Sequence, residues 1–396
     1  MRRDKLSNLL IKIEFWLLAG IVLFTLLGMA SVVSLLFYAT FFVLVIALAE
    51  QLFKERINGV HLCLGVLVLL TLIHVCLTSQ VLSFGYLRKF IMFSCTMLLF
   101  VYIYKLNVTR RLVAAIIKIN IVIAILYPVA YYILGIRDEV VESLTMHFSN
   151  PNLTGMYLLH SLLYCVLAMW CYRSKLVKML LLLLAVPLYQ LMSLTRTRSC
   201  MIAFWGFIIM VVVSHLWGGK ITVTRLVSFC MVMLPFVIVF VYLYLCNAGY
   251  ITKNPEVTMF ESAEGKSMMS RYKIWTKALE YYRASPIFGA YGTLGGGSGM
   301  SQMHNTHLDV LVSYGTIPFA LFLFLLNKCI NRVLTFVSSS YQKMAMFALY
   351  AVLISGSFEA ALVSGGVGMY ILSCGFLIIA KYAGAEKTEK TAERQL

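Results

Sequence analysis

The chain has 396 residues, of which 61% are hydrophobic and only 12% are charged, and its formal net charge is +17. Soluble globular proteins carry about 25% charged residues, so this composition excludes a soluble protein and indicates a polytopic membrane protein. Cations would also suit nucleic acid, but here they do not cluster with aromatic residues, and membrane proteins hold them in cytoplasmic loops. We therefore expect the lipid bilayer, and no nucleic acid, as a partner of the chain.

The first residues, MRRDKLSNLLIKIEFWLLAG, begin with the charge pattern of a signal peptide. No small-residue cleavage site precedes a polar domain, so we expect an uncleaved first span. The ten cysteines lie almost entirely in apolar segments and form no CxxC pair. They therefore predict neither a disulfide framework nor a metal site.

Apolar runs long enough to cross a membrane recur along the chain. The run from Ile13 to Ala49 is too long for one helix and is broken near Gly28 and Ser31, which predicts two spans joined by a tight turn. Further spans are predicted at about 58–77, 87–105, 111–134, 152–171, 176–193, 199–217, 225–246, 307–331, 342–361 and 365–382. The predicted fold is an all-α polytopic membrane protein of about 12 transmembrane helices, with residues 1–396 in a single integral membrane domain.

The distribution of cations predicts the orientation of these spans. With the amino terminus inside, the segments on the inner face hold 22 of the 33 lysines and arginines. This bias follows the positive-inside rule and places both termini in the cytoplasm. The same frame predicts one large extracytoplasmic loop, about 247–306, which carries an amphipathic helix.

Two arginines lie in a short outer turn that reads Leu-Thr-Arg-Thr-Arg-Ser from Leu194 to Ser199. Guanidinium groups bind phosphate oxygens bidentately, and the neighbouring hydroxyls add donors. In an extended turn, positions i and i+2 face the same way, so Arg196 and Arg198 would bind one pyrophosphate together. The alternative is that both arginines reach toward lipid headgroups.

Other polar residues on the predicted outer face are further candidates. Arg88, at the outer start of the fourth span, would either join the same cationic site or reach toward headgroups. The turn Asn150-Pro151-Asn152 favours a helix start over a sugar-binding role for Asn152. Glu359, near the outer end of the eleventh span, is a candidate counter-ion for one of the arginines.

An amphipathic helix is predicted in the large loop, with Ser267 as its N-cap and Ser285-Pro286 as its end. Its apolar stripe consists of Met268, Tyr272, Trp275, Leu279 and Tyr282. Such a helix would lie along the outer surface with its aromatic residues at the headgroup level. Arg271 lies on the apolar edge and would point toward the spans, the alternative being an ordinary interfacial arginine.

Glycines from Gly289 to Gly299 follow this helix, but they lack the GxxxxGK[ST] pattern of a nucleotide loop and predict a mobile backbone near a ligand. His304 and Asn305 come next, with His307 and Asp309 where another span begins. A neutral histidine at a membrane surface acts as a general base near pH 7, and the alternative is a hydrogen-bonding cap. Asn305, His307 and Asp309 are candidate substrate-contacting or supporting residues. The three aspartates form no DxD motif and HExxH is absent, so we expect no metal and no cofactor.

The order of these features resembles the O-antigen ligase and polymerase superfamily over about residues 180–330. The resemblance rests on the Arg-Thr-Arg turn, the spacing Arg271…Trp275, Pro286…Gly289 and the pair His304-Asn305. Ligases of the family have His-Asn, nine residues and then glycine, as here with Gly315. The next small residue of that pattern falls at Pro318, which is a departure from it.

The resemblance implies glycosyl transfer at the outer face of the bacterial cytoplasmic membrane from an undecaprenyl-pyrophosphate-linked glycan to a glycan acceptor. Arg196, Arg198 and Arg271, with Arg88 as a further candidate, would bind the departing pyrophosphate. His304, the catalytic candidate beside Arg271, would activate or orient the acceptor hydroxyl.

The first expectation is a metal-independent polymerase of repeat units for O-antigen, capsule or exopolysaccharide. The second is an O-antigen ligase that transfers the glycan to a lipid or protein acceptor. A lipid-linked oligosaccharide flippase or transporter is the alternative from another class, and it should show charged or broken helices at mid-membrane depth. A chain-length regulator and a flippase are candidate protein partners of the polymerase.

Overall fold

The structure, a computed structural model, describes residues 3–54, 59–78, 84–140, 142–148, 150–217, 223–250, 271–287, 289–290, 303–359 and 369–382. Its helices are α1 (Arg3–Leu26), α2 (Ala30–Lys54), α3 (Gly59–Thr78), α4 (Phe84–Lys105), α5 (Arg110–Pro128), α6 (Pro151–Cys171), α7 (Lys175–Leu194), α8 (Arg198–Leu216), α9 (Arg225–Asn247), α10 (Arg271–Ala284), α11 (Thr306–Tyr314), α12 (Thr316–Leu334), α13 (Ser340–Gly356) and α14 (Met369–Lys381). A π-helical turn, Val129–Ile133, continues α5. Two short strands, β1 (Glu139–Val140) and β2 (Ser143–Leu144), pair antiparallel.

Within the described residues, eight helical segments are long and apolar enough to cross a membrane. They are α1, α2, α5 with its π-helical turn, α6, α7, α8, α9 and α12. Each predicted span contains a helix, because an apolar segment must satisfy its backbone hydrogen bonds internally. The chain is therefore a multi-pass, almost entirely α-helical membrane protein, while the count of about 12 spans stays a prediction.

The predicted span 307–331 is wrong in one respect, because two helices, α11 and α12, meet there at Gly315. Gly315 has a φ of +88°, a left-handed conformation that glycine adopts without steric cost. A side chain at this position would collide with the carbonyl of Ile287. The Thr316 amide donates to the Pro286 carbonyl at 2.9 Å, so the break is held by the segment that follows α10.

Gly289 lies on the other side of the same junction. Its φ is +77°, and a Cβ there would lie 2.6 Å from the Gly315 nitrogen. The amide of the next residue, Ala290, donates to the Val312 carbonyl at 2.7 Å. The predicted mobile backbone is therefore wrong for Gly289, which is packed against a helix break; residues 291–300 lie outside the described part.

The helix α10 ends at Ala284, before Ser285-Pro286 as predicted, while the predicted N-cap Ser267 lies outside the described residues. Trp275 is fully buried, and its indole nitrogen donates to the Met303 carbonyl at 2.9 Å. Its ring meets Tyr242 of α9 edge-on at 5.2 Å. Trp275 therefore faces protein rather than lipid, because α10 packs onto α9 and α11, and its placement at the headgroup level stays a prediction.

The centre of the bundle is formed by α6, α13 and α14, which are buried along almost their whole length. The Tyr164 hydroxyl of α6 donates to the Leu372 carbonyl of α14 at 2.7 Å, and its ring stacks on Phe376 at 4.4 Å. Gly375 makes this approach possible, because a Cβ there would overlap the Tyr164 hydroxyl and lie 2.8 Å from Phe15. Small residues at helix contacts are a general route to close packing in membranes.

Replacing Gly375 with alanine should therefore destabilise the bundle by about 1–3 kcal/mol through overpacking. The matched control is Gly65→Ala in α3, where a Cβ would meet nothing within 4 Å, and this change should be neutral or stabilising by up to about 1 kcal/mol. The measurement is the thermal unfolding midpoint of the detergent-solubilised protein. Equal midpoints for the two variants would contradict the packing described for α6 and α14.

Candidate functional site

A buried carboxylate organises one end of the bundle. The Glu359 side chain, three residues beyond α13, is only 5% exposed. Its Oε1 accepts hydrogen bonds from Arg271 Nη2 at 3.0 Å and from Asn152 Nδ2 at 2.8 Å. Its Oε2 lies 2.9 Å from His304 Nδ1. We refer to Asn152, Arg271, His304 and Glu359 as the Glu359 cluster, and it joins four segments that are distant in sequence.

The charge of Glu359 is tolerated because its partners are polar and positively charged. Burying an isolated carboxylate costs several kcal/mol, and charge-assisted hydrogen bonds offset that cost. Arg271 supplies one such bond and also donates to the Phe358 carbonyl at 3.1 Å. Its side chain remains 39% exposed. Arg271 thus points toward the spans, as predicted, while its side chain as a whole stays partly exposed.

His304 is held in a fixed orientation. Its φ is +47°, a left-handed backbone that is uncommon for residues other than glycine and clusters at functional sites. Glu359 can only accept a hydrogen bond when ionised, so a neutral His304 carries its proton on Nδ1. Its Nε2 is then the ring nitrogen with the lone pair, and the side chain is 18% exposed. This arrangement orients the ring for accepting a proton from a ligand.

Asn305 fixes the backbone next to His304. It is fully buried, and its Nδ2 donates to the Pro235 carbonyl at 2.7 Å and to the Ser357 carbonyl at 2.8 Å. Its Oδ1 accepts from the Leu308 amide at 2.9 Å, which makes it the N-cap of α11. Asn305 therefore joins α9, α11 and the end of α13.

The next two candidates lie in the first turns of α11 and are buried. The His307 ring lies edge-on to Phe319 and Phe322 of α12, at 5.9 and 5.7 Å between ring centroids. Asp309 is 6% exposed. Their surroundings indicate packing positions within the helix junction.

The arginine turn, residues 195–198, docks against the start of α6. Thr197 Oγ1 lies 3.3 Å from Asn152 Oδ1 and donates to the Pro151 carbonyl at 3.2 Å. Gly155 permits this contact, because a Cβ there would lie 2.7 Å from the Thr197 hydroxyl. Asn152 thus connects the arginine turn to Glu359. Asn150 caps α6, which confirms the predicted helix start at this turn.

We expected Arg196 and Arg198 to face the same way because an extended turn would place them so. The turn is not extended, so this expectation is wrong. Arg196 has a φ of +52°, and its amide donates to the Ser193 carbonyl at 3.0 Å. Arg198 is exposed and is the first residue of α8. Arg88 is the fifth residue of α4, and its side chain lies outside the described part.

Glu142 is a partner that the sequence did not reveal. Its carboxylate lies 3.0 Å from Arg196 Nη1, and the two side chains are 78% and 61% exposed, respectively. Glu142 also has a positive φ of 57°. An ion pair this exposed contributes less than about 1 kcal/mol, so a ligand anion can displace Glu142 from Arg196.

The geometry combines exposed cations with an oriented histidine at one end of the bundle. Arg196, Arg198 and Arg271 each keep part of their side chain exposed. Hydrogen bonds run from Thr197 through Asn152 and Glu359 to His304. Such an arrangement can bind an anionic group and accept a proton from a second ligand.

Comparison with known families gives a match over part of the chain. Residues 190–323 match the model of a family described as O-Antigen ligase. The match includes the arginine turn, Arg271 and His304, but ends before Glu359. Comparison with curated proteins and with solved structures finds no match. The match confirms the resemblance to the O-antigen ligase and polymerase superfamily and supports a ligase or polymerase type of function.

Loss of Asn305 should destabilise the junction more than loss of a simple cap. Asn305→Ala removes two buried hydrogen bonds and an N-cap, which together are worth about 2–4 kcal/mol. The control is Ser174→Ala, which removes the exposed N-cap of α7 and should cost about 1 kcal/mol or less. Thermal midpoints in detergent compare the two. A smaller loss for Asn305→Ala would show that its tertiary bonds contribute nothing.

Proposed function

Since residues 190–323 match the O-Antigen ligase family, we propose that the chain polymerises undecaprenyl-pyrophosphate-linked oligosaccharide repeat units at the outer face of the cytoplasmic membrane. The observation that carries the proposal is the bidentate role of Glu359, which bonds Arg271 through one oxygen and His304 through the other. A cation for a leaving group and a base for an acceptor are thereby held side by side.

The arginines would act on the leaving group. When the bond between the sugar C1 and the phosphate oxygen breaks, negative charge grows on the pyrophosphate. Arg196, Arg198 and Arg271 would stabilise this charge through charge-assisted, bidentate hydrogen bonds. Arg196 would exchange Glu142 for the pyrophosphate, because the ion pair that it leaves is exposed and weak.

His304 would act on the acceptor. Its Nε2 would take the proton of the acceptor hydroxyl as that oxygen attacks the sugar C1. The imidazolium that forms would lie 2.9 Å from Glu359 Oε2, and the carboxylate would stabilise it while fixing the ring tautomer. Arg271 and Asn152, which share the other oxygen of Glu359, would position the carboxylate for this task.

A ligase that passes the glycan to a lipid or protein acceptor is the second candidate, because donor and leaving group are the same. We favour the polymerase because Pro318 departs from the ligase pattern. A lipid-linked oligosaccharide flippase is the third candidate and would not need an oriented base.

The glycan profile of a deletion strain separates the three candidates. Single repeat units on the usual acceptor are expected for a lost polymerase. Long chains that remain on the lipid carrier would instead indicate a lost ligase. Lipid-linked units retained on the cytoplasmic face would indicate a lost flippase.

His304→Ala should lower the rate of glycan transfer about 10²–10⁴-fold, which is the usual contribution of a general base. The control is His215→Ala, an exposed histidine at the far end of α8, which should leave the rate unchanged. The measurement is chain elongation in membranes, normalised to protein abundance. Wild-type elongation in the His304 variant would contradict the proposed role of His304 as general base.

Arg196→Ala should lower transfer about 10²–10³-fold, as does removal of one group that stabilises a developing anion. Arg173→Ala, an exposed arginine between α6 and α7, is the matched control and should behave as wild type. The same membranes and glycan assay serve for both. Equal activity of the two variants would remove Arg196 from the proposed mechanism.

A further inference from the structure

A polar cavity lies at the opposite end of the bundle from the Glu359 cluster. It has a volume of about 320 Å³ and is formed where α4 ends, α9 begins and α12 approaches its end. The far end of α9, Asn247, contacts Tyr272 of α10, and α12 starts beside Pro286. The cavity is therefore separate from the candidate site and is not used by the proposed reaction.

Three cations line this cavity: Arg225 from α9, and Lys328 and Arg332 from α12. None of the described residues that line it is acidic. Lys328 and Arg332 are four residues apart on one helix, a spacing at which like charges repel. A fourth cation is close, because Lys381 Nζ and the Arg332 guanidinium lie 5.8 and 5.1 Å from the same Phe336 ring. This concentration of positive charge favours an anion.

Amide side chains share the cationic face of α12. Asn327 and Asn331 both line the cavity, and Asn331 Nδ2 donates to Asn327 Oδ1 at 3.1 Å. Asn331 Oδ1 is buried and accepts no hydrogen bond from any described residue. Cations that merely complement the α12 dipole or reach toward water would not require this pair. A ligand that carries hydroxyl donors beside its negative charge would use both groups.

The remaining lining suits the edge of a membrane. Tyr104 contributes a phenol from the end of α4, and Phe324 contributes a ring that is 42% exposed. An aromatic residue with polar neighbours is typical of the headgroup level. A ligand here would have its charged part among the cations and an apolar part next to Phe324.

We propose that this cavity binds a phosphate group that carries neighbouring hydroxyls, as in the glycerol phosphate headgroup of an anionic phospholipid. Basic pockets between transmembrane helices are a recurrent means of binding such headgroups. Arg225, Lys328 and Arg332 bind the phosphate oxygens, and the Asn327–Asn331 pair bonds the hydroxyls. In the predicted orientation the lipid comes from the cytoplasmic leaflet.

The test uses the full-length protein, delipidated in a neutral detergent. Phosphatidylglycerol is titrated against phosphatidylcholine, and the thermal midpoint and native mass spectra report binding. The wild type should bind phosphatidylglycerol about tenfold or more tightly than phosphatidylcholine, since each cation near a headgroup contributes measurably. Equal binding of the two lipids would overturn the proposal.

Variants locate the site. Lys328→Gln combined with Arg332→Gln should weaken phosphatidylglycerol binding about tenfold or more. The matched control, Arg173→Gln with Lys175→Gln, removes the same two residue types from an exposed turn at the same end of the bundle and should stay within about twofold of wild type. An equal loss in both double variants would mean general attraction to the surface and would refute the cavity.

Two further arms complete the test. Competition by glycerol 3-phosphate at a concentration similar to that of the lipid would support the phosphate site but assign a soluble source; failure to compete would assign the lipid.

If the double variant does not fold, Arg225→Gln alone tests the same cavity from α9. Unchanged lipid selectivity in a folded Arg225 variant would overturn the role assigned to that residue and to the cavity.

Discussion

The carboxylate of Glu359 is the interaction on which the arrangement of one end of this bundle depends. In a membrane, apolar packing between helices has little directional preference, because lipid tails offer the same contacts. A carboxylate that is 5% exposed, in contrast, requires particular partners. Each lost partner leaves charge uncompensated in a medium of low dielectric. Four segments must therefore converge on one point: the start of α6, the start of α10, His304 and the end of α13. Electrostatics, rather than shape alone, determines which helix ends meet.

The elements of the fold were predictable to the extent that they are local. Hydropathy located the helices because each span satisfies its own backbone, and the cap at Asn150 and the end at Ser285-Pro286 were readable from residue type. The inward direction of Arg271 followed from its position on the helical wheel. The pairing of His304 with Glu359 was not predictable, because 55 residues separate them and no periodicity relates their helices. The prediction of an extended arginine turn was wrong for a different reason. Arg196 has a positive φ, and this backbone conformation cannot be inferred from an arginine in the sequence.

The family match and the site do not have the same boundaries. Residues 190–323 contain the arginines and the histidine, whereas Asn152 precedes the match and Glu359 follows it. The groups that would contact a ligand thus lie inside the matched region, and the groups that orient them lie in α6 and beyond α13. Helices α9 and α12 run from this site to the cationic cavity at the other end, where Arg225 lies inside the matched region and the α12 residues of the cavity follow it.

The junction of Gly289 and Gly315 has a consequence for how the sequence can change. Each missing side chain makes room for the backbone of the other segment, with Gly315 nitrogen only 2.6 Å from the place of a Gly289 Cβ. The first substitution would force the two backbones apart, so the second would meet a smaller clash and add mainly the cost of its own positive φ. Neighbouring sites that share one constraint are non-additive in this way. The two glycines therefore form an epistatic pair, in which tolerance at one position depends on the residue at the other.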